Sequence, residues 1–124
     1  MFELKVVTEF AAAHQLEMVA QKCENLHGHN WKVEVCVVGS ELDAGGVLVD
    51  FGVVKKHLEV VIRSLDHQFL NRLPAFGNAA PPSSENIARY IAREIQQRLD
   101  RPQVRVSRVT AWESSKSAAT YIPE

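Results

Sequence analysis

Three of the five histidines in this 124-residue chain, His14, His27 and His29, fall near its start. In an extended chain, residues two apart project to the same side, about 6.6 Å apart along the backbone, so the imidazoles of His27-Gly28-His29 can converge on one ion. Gly28 is expected to let the backbone bend there and leaves the opposite face bare. An H-x-H pair alone often only decorates a surface strand. The signal gains weight from His14, which closes a predicted first strand and lies beside the pair if the first two strands form a hairpin. Three nitrogen ligands without a fixed fourth partner suit a catalytic zinc, whose open position takes water or substrate. Cys23, four residues before His27, has two roles open to it. It is either a fourth ligand in a closed structural site or a free thiol of lowered pKa that serves as base or nucleophile.

Other residues carry weaker chemistry. Asp66 precedes His67, and a carboxylate beside an imidazole can orient it and raise its basicity for proton transfer. The competing reading of His67 is a helix-end histidine favoured by the macrodipole. His57, inside a predicted helix, reads as structural, and Cys36 as a small, partly buried strand residue. Glu113 ends a predicted strand, where glutamates are usually solvated.

These groups need elements to hold them. Phe2 to Ala12 alternates as a strand, and Trp31, Val33, Val35 and Val37 alternate with Lys32, Glu34 and Cys36 as a second. From Asp50 as N-cap, Val54, His57-Leu58, Val61-Ile62 and Leu65 recur at helical spacing. Residues Arg72 to Pro82, with prolines 74, 81 and 82, read as loop. Ser83 or Ser84 caps a second helix with Ile87, Ile91, Ile95 and Leu99 on one stripe, ended by Arg101-Pro102. Val104 to Trp112 and Ala118 to Ile122 are the last strands, joined by the tight Ser114 to Ser117 stretch. The order ββααββ predicts an α+β fold, with a four-stranded antiparallel sheet and both helices on one face. Such a sheet leaves two open edges that invite pairing between subunits.

Composition bounds the rest. At this length, with 46% hydrophobic residues, one domain over residues 1–124 is expected. Its folding hides roughly two thirds of the unfolded surface, so a metal is not needed to hold the core and suggests function instead. Fourteen Lys and Arg against fifteen Asp and Glu, a net charge of -1, argue against nucleic acid or a membrane surface as partner. No apolar run is long enough for a membrane span and no secretory signal opens the chain, so a cytoplasmic location is expected. Two cysteines fall far short of a disulfide scaffold and fit a reducing compartment.

Six motifs in order, Phe10-Ala11-Ala12-Ala13-His14, Cys23 through Asn30 (CENLHGHN), Asp50-Phe51, Leu65 through Asn71 (LDHQFLN), Pro82 through Asn86 (PSSEN) and Glu113 with Tyr121, span nearly the whole chain. Together they resemble the 6-pyruvoyltetrahydropterin synthase family and its bacterial 6-carboxytetrahydropterin synthase branch. The resemblance implies a tunnelling fold (T-fold), in which trimers close their sheets into one barrel and two trimers stack as a homo-hexamer. Active sites then lie between subunits. It further implies that His14, His27 and His29 bind Zn²⁺, that Cys23 is the catalytic thiol, and that His67 is a second acid/base oriented by Asp66. Glu113 matches the glutamate that anchors the pterin ring and takes part in the proton relay, and Glu85 falls in a motif implied to bind substrate.

The implied substrate is 7,8-dihydroneopterin triphosphate. Three residues between Cys23 and His27 resemble the carboxy branch, which feeds queuosine and other deazapurines and releases triphosphate and acetaldehyde. The alternative is the pyruvoyl reaction, which eliminates triphosphate from the same substrate, and animal-type pyruvoyl enzymes carry a longer spacer. A folate-linked branch has glutamate where this chain has Cys23. The one departure is Ser83, where threonine is commoner. Two readings of other classes compete: a zinc hydrolase, which has no use for the Cys23 and His67 pair, and a silent pterin-binding oligomer, which would tolerate loss of His67.

Overall fold

Alternating apolar residues make the sheet and fix which side it buries. The computed structural model describes residues 1–16 and 26–124, so Cys23 lies outside the described residues. Strands β1 (Phe2–His14) and β2 (His27–Gly39) pair antiparallel over their full length. Helix α1 (Phe51–Arg63) follows, then a two-residue strand β3 (Gln68–Phe69), a 3₁₀ turn (Leu70–Arg72), helix α2 (Ser84–Arg98) and strands β4 (Arg105–Ser114) and β5 (Ser117–Tyr121). The sheet order is β3-β1-β2-β4-β5.

The α+β class and the helix pair match the sequence reading, but the sheet has five strands rather than four. The added strand, β3, pairs parallel to β1 through Ala12 with Gln68 and Ala13 with Phe69. Two residues are too few to show a period of two, so no pattern could announce it.

One face of the sheet meets both helices. Val6, Phe10 and Ala12 of β1, Trp31, Val33, Val35 and Val37 of β2, and Val106, Val109 and Ala111 of β4 are buried there. Val54, Leu58, Val61 and Ile62 of α1 and Ile87, Ile91 and Ile95 of α2 pack onto them. Val106 and Val109, three apart, can both face inward because a β-bulge lies in this part of the β2–β4 ladder, where Cys36 pairs with Arg108 but Val37 with Val106. Cys36 itself is buried, and His57 is half-buried on α1.

The helix starts are fixed by side chains. The Asp50 carboxylate accepts from the Gly52 amide at 2.7 Å, and the Ser83 hydroxyl accepts from the Asn86 amide at 3.1 Å. Asn86 in turn donates to the Pro81 carbonyl at 2.8 Å, which holds the Pro81-Pro82 entry against α2.

Two glycines differ in what they permit. The bend expected at Gly28 is not there, since it pairs with Ala13 inside a continuous ladder. A Cβ at Gly28 would meet only the Ala12 carbonyl at 3.9 Å, whereas one at Gly39 would sit 2.5 Å from Leu48 Cδ1 and 2.9 Å from the Gln103 carbonyl oxygen. Gly39→Ala is expected to lower unfolding free energy by about 1–3 kcal/mol in urea denaturation. Gly28→Ala should stay within about 0.5 kcal/mol of wild type.

Candidate active site

At one end of the sheet the apolar face gives way to polar side chains. Along β1 the inward positions run Val6, Phe10, Ala12 and then His14, and along β2 they run back from Val33 through Trp31 to His29 and His27. Register places His14 directly opposite His27 and Ala12 opposite His29. Strand β4 contributes Glu113, beside an irregularity where Trp112 pairs with Ala118 but Ser114 with Ser117. Bulges of this kind often re-aim a side chain next to a functional site.

The four side chains meet. One ligand atom from each of His14, His27, His29 and Glu113 lies within 4.8 Å of all the others. His14 Nε2 is 3.0 Å from His27 Nε2 and 3.0 Å from Glu113 Oε1. The same carboxylate oxygen is 2.9 Å from His29 Nε2 and 3.7 Å from His27 Nε2. Four donors around a zinc at its usual bond lengths are about 3.3 Å apart, so these separations bracket a tetrahedral site.

His14 supplies a second test of fit. It is fully buried, and its Nδ1 lies 2.8 Å from the Pro82 carbonyl oxygen. A carbonyl can only accept, so Nδ1 carries the proton and a neutral His14 directs the Nε2 lone pair at the cluster. Metal-bound histidines are commonly oriented through their other nitrogen in this way. Trp31, fully buried, meets the His14 and His29 rings edge-on at 5.2 and 5.5 Å, which limits their rotation. The three imidazoles therefore fit Zn²⁺, and Glu113 stands beside the open fourth direction, a placement the sequence reading did not assign to it.

The Asp66 and His67 pair is built differently. His67 has a left-handed backbone, φ 60°, uncommon for a residue with a Cβ and often a mark of functional constraint. Its amide donates to the Ala11 carbonyl at 2.6 Å, while the Ala11 amide donates to Asp66 Oδ1 at 2.9 Å. Asp66 Oδ2 is 3.0 Å from His67 Nδ1, close enough for the carboxylate to orient the ring. The Ala11 amide bond, and then the His67 side chain, hold the Asp66 carboxyl below its ordinary value of 3.8. The His67 side chain is 81% exposed and lies outside the four-residue cluster. It lines an open cleft of about 500 Å³ with Ala11, Ala13, Gly28 and Asn30, and the bare Gly28 helps keep that cleft clear.

Glu85 stands exposed in the first turn of α2, near the Pro82 that holds His14 but outside the cluster. Sequence reasoning passed over the Pro82 carbonyl and the Ala11 amide, since backbone groups leave no trace in residue type.

Two outcomes follow. Chelator competition should show one zinc per chain, weakened at least about 100-fold in His14→Ala and unchanged in Cys36→Ala. Because the folded-state pKa of Asp66 is depressed, its ionised form stabilises the fold above the unfolded value of 3.8, and this contribution is lost as pH falls through the folded value. The stability gap between wild type and Asp66→Asn, measured by urea denaturation, should therefore be present at pH 6 and narrow below pH 3.8.

Comparison with known proteins identifies relatives of this chain. A dihydroneopterin monophosphate aldolase of Pyrococcus furiosus is 36% identical over 107 residues, covering 86% of this chain and 85% of that protein. The 6-carboxy-5,6,7,8-tetrahydropterin synthase of Bacillus subtilis is 36% identical over 103 residues, covering 80% of this chain and 68% of that one. The solved structure of Caenorhabditis elegans 6-pyruvoyl tetrahydropterin synthase superposes with a TM-score of 0.86 at 26% identity, covering 99% of this chain and 96% of the other. The 6-pyruvoyl tetrahydropterin synthase family model matches residues 3–124, and the chain belongs to that family.

Proposed function

We propose that this chain is a zinc-dependent lyase that converts 7,8-dihydroneopterin triphosphate and water to 6-carboxy-5,6,7,8-tetrahydropterin, acetaldehyde and triphosphate. The observation that carries the reading is the convergence of His14, His27 and His29 with Glu113, in a chain whose Cys23 stands four residues before His27, with Glu24, Asn25 and Leu26 between them. The relative from Bacillus subtilis carries the name of this activity.

Bound zinc would act as a Lewis acid that acidifies the substrate side-chain hydroxyls and the neighbouring C–H. The protein does the rest. Cys23 as thiolate removes a carbon-bound proton, and His67, oriented by Asp66, returns one at another atom, moving unsaturation between ring and side chain before the carbon–carbon bond breaks. Glu113 accepts hydrogen bonds from the pterin amino and ring N–H groups. Glu85, at the start of α2, belongs to the substrate-binding set.

The functional unit in this reading is a cytoplasmic homo-hexamer, a dimer of trimers. Among the described residues, β3 covers only Ala12 and Ala13 of the outer edge of β1, and β5 pairs with β4 alone. Uncovered edges of this length favour strand pairing with another chain. His67, exposed and outside its own four-residue cluster, is then available to complete a neighbour's site.

Mass analysis of products from dihydroneopterin triphosphate is the direct test. Acetaldehyde with the carboxylated pterin supports the proposal, and a pyruvoyl product without acetaldehyde replaces it with the pyruvoyl reaction. Cys23→Ala should lower kcat at least about 1,000-fold with zinc retained. Glu113→Gln should raise KM with zinc retained, and zinc lost with Glu113 would make that carboxylate a metal ligand instead.

A further inference from the structure

The two sets of chemical groups are carried by separate segments, and one side chain ties them together. Strand β3 follows β1 for only two residues before the 3₁₀ turn at Leu70–Arg72 takes its backbone away. At that point the Asn71 carboxamide reaches back to β1. Its Oδ1 accepts from the Gln15 amide at 2.9 Å, and its Nδ2 donates to the Gln15 carbonyl at 2.8 Å. An amide has the donor and acceptor groups of a peptide unit, so the Asn71 side chain satisfies both backbone groups of Gln15, the residue that lies two past the last β3 pairing at Ala13.

Gln15 directly follows His14, and Asn71 lies four residues after His67, beyond β3. The Asn71 pair, the β3 ladder and the Ala11 bonds to Asp66 and His67 thus form one row of contacts along the edge of β1. His14 is held on its other sides by the His27 pairing and by Pro82. Without Asn71 the row ends at Phe69, and the left-handed His67 is secured only by its bond to Ala11 and by the two-residue strand that follows it.

We propose that Asn71 is a positioning residue for the reaction, a clasp that holds the His67 segment and the His14 strand in one rigid frame. This role rests on the proposed function only in assigning His67 to proton transfer. Asn71 is exposed, so its truncation leaves the core intact. The substitution Asn71→Asp keeps an acceptor for the Gln15 amide but removes the donor, which makes it a graded variant.

The test pairs amide hydrogen exchange with kinetics on the zinc-loaded protein. In Asn71→Ala the Ala11 and His67 amides should exchange about tenfold faster while the core amide of Val35 is unchanged, as expected from losing two exposed hydrogen bonds. With dihydroneopterin triphosphate, kcat should fall about tenfold with KM and zinc content held, and Asn71→Asp should lie between. Unchanged exchange at Ala11 and His67, or a kcat equal to wild type, would overturn the role. So would a kcat loss that merely follows lost zinc or faster exchange at Val35. If wild type is inert toward this substrate, the functional reading fails, and the exchange measurement still decides whether Asn71 is the clasp.

Discussion

The structure depends on bringing three imidazole nitrogens and one carboxylate oxygen to a single point. Imidazoles and a carboxylate so close, one of them on a fully buried histidine, lose solvation that a shared cation restores. The requirement falls mainly on strand register. His14 must sit opposite His27, His29 two residues further along β2, and Glu113 on the neighbouring β4 one residue past Trp112, the partner of Lys32. A slip of one residue in the β1–β2 ladder would turn the histidines of one strand to the opposite face. The apolar part of the sheet prevents that, because the same slip would expose Val33, Val35 and Val37, all essentially buried against the helices.

The core therefore sets the geometry of the centre. Trp31 is the hinge between the two regions, stacked on Phe10 toward the core and edge-on to His14 and His29 toward the cluster. Helix α2 takes part from the far side. Its capping residue Ser83 and the Asn86 bond to Pro81 place the Pro82 carbonyl against His14 Nδ1. The PSSEN run thus orients His14 through its backbone. Zinc in such a site would be held by side chains whose rotamers are limited before it arrives, which favours a single coordination geometry.

Much of this is legible in the sequence because period and spacing carry it. The alternation through Trp31 to Val37 and the helical stripe of Ile87, Ile91 and Ile95 place the core directly, and H-x-H with His14 at a strand end points to the cluster. What escaped reading has a physical reason in each case. Strand β3 is defined by pairing with β1 rather than by its own residues. The reach of Glu113 into the histidines depends on the break in the β4–β5 register, which residue type does not reveal. The left-handed turn at His67 is dictated by tertiary bonds to Ala11, since histidine alone has no strong preference for it. Glycine permits a bend at Gly28, but permission is not requirement, and pairing with Ala13 keeps the strand continuous there.

In the proposed centre three imidazoles hold an open zinc site and the Cys23 thiol is left free for chemistry. X-ray absorption at the zinc edge of the loaded protein tests it most directly. The account predicts only nitrogen and oxygen scatterers at about 2.0–2.2 Å, with the multiple scattering of three imidazoles. A sulfur scatterer at about 2.3 Å would make Cys23 or Cys36 a ligand, close the site and contradict the account.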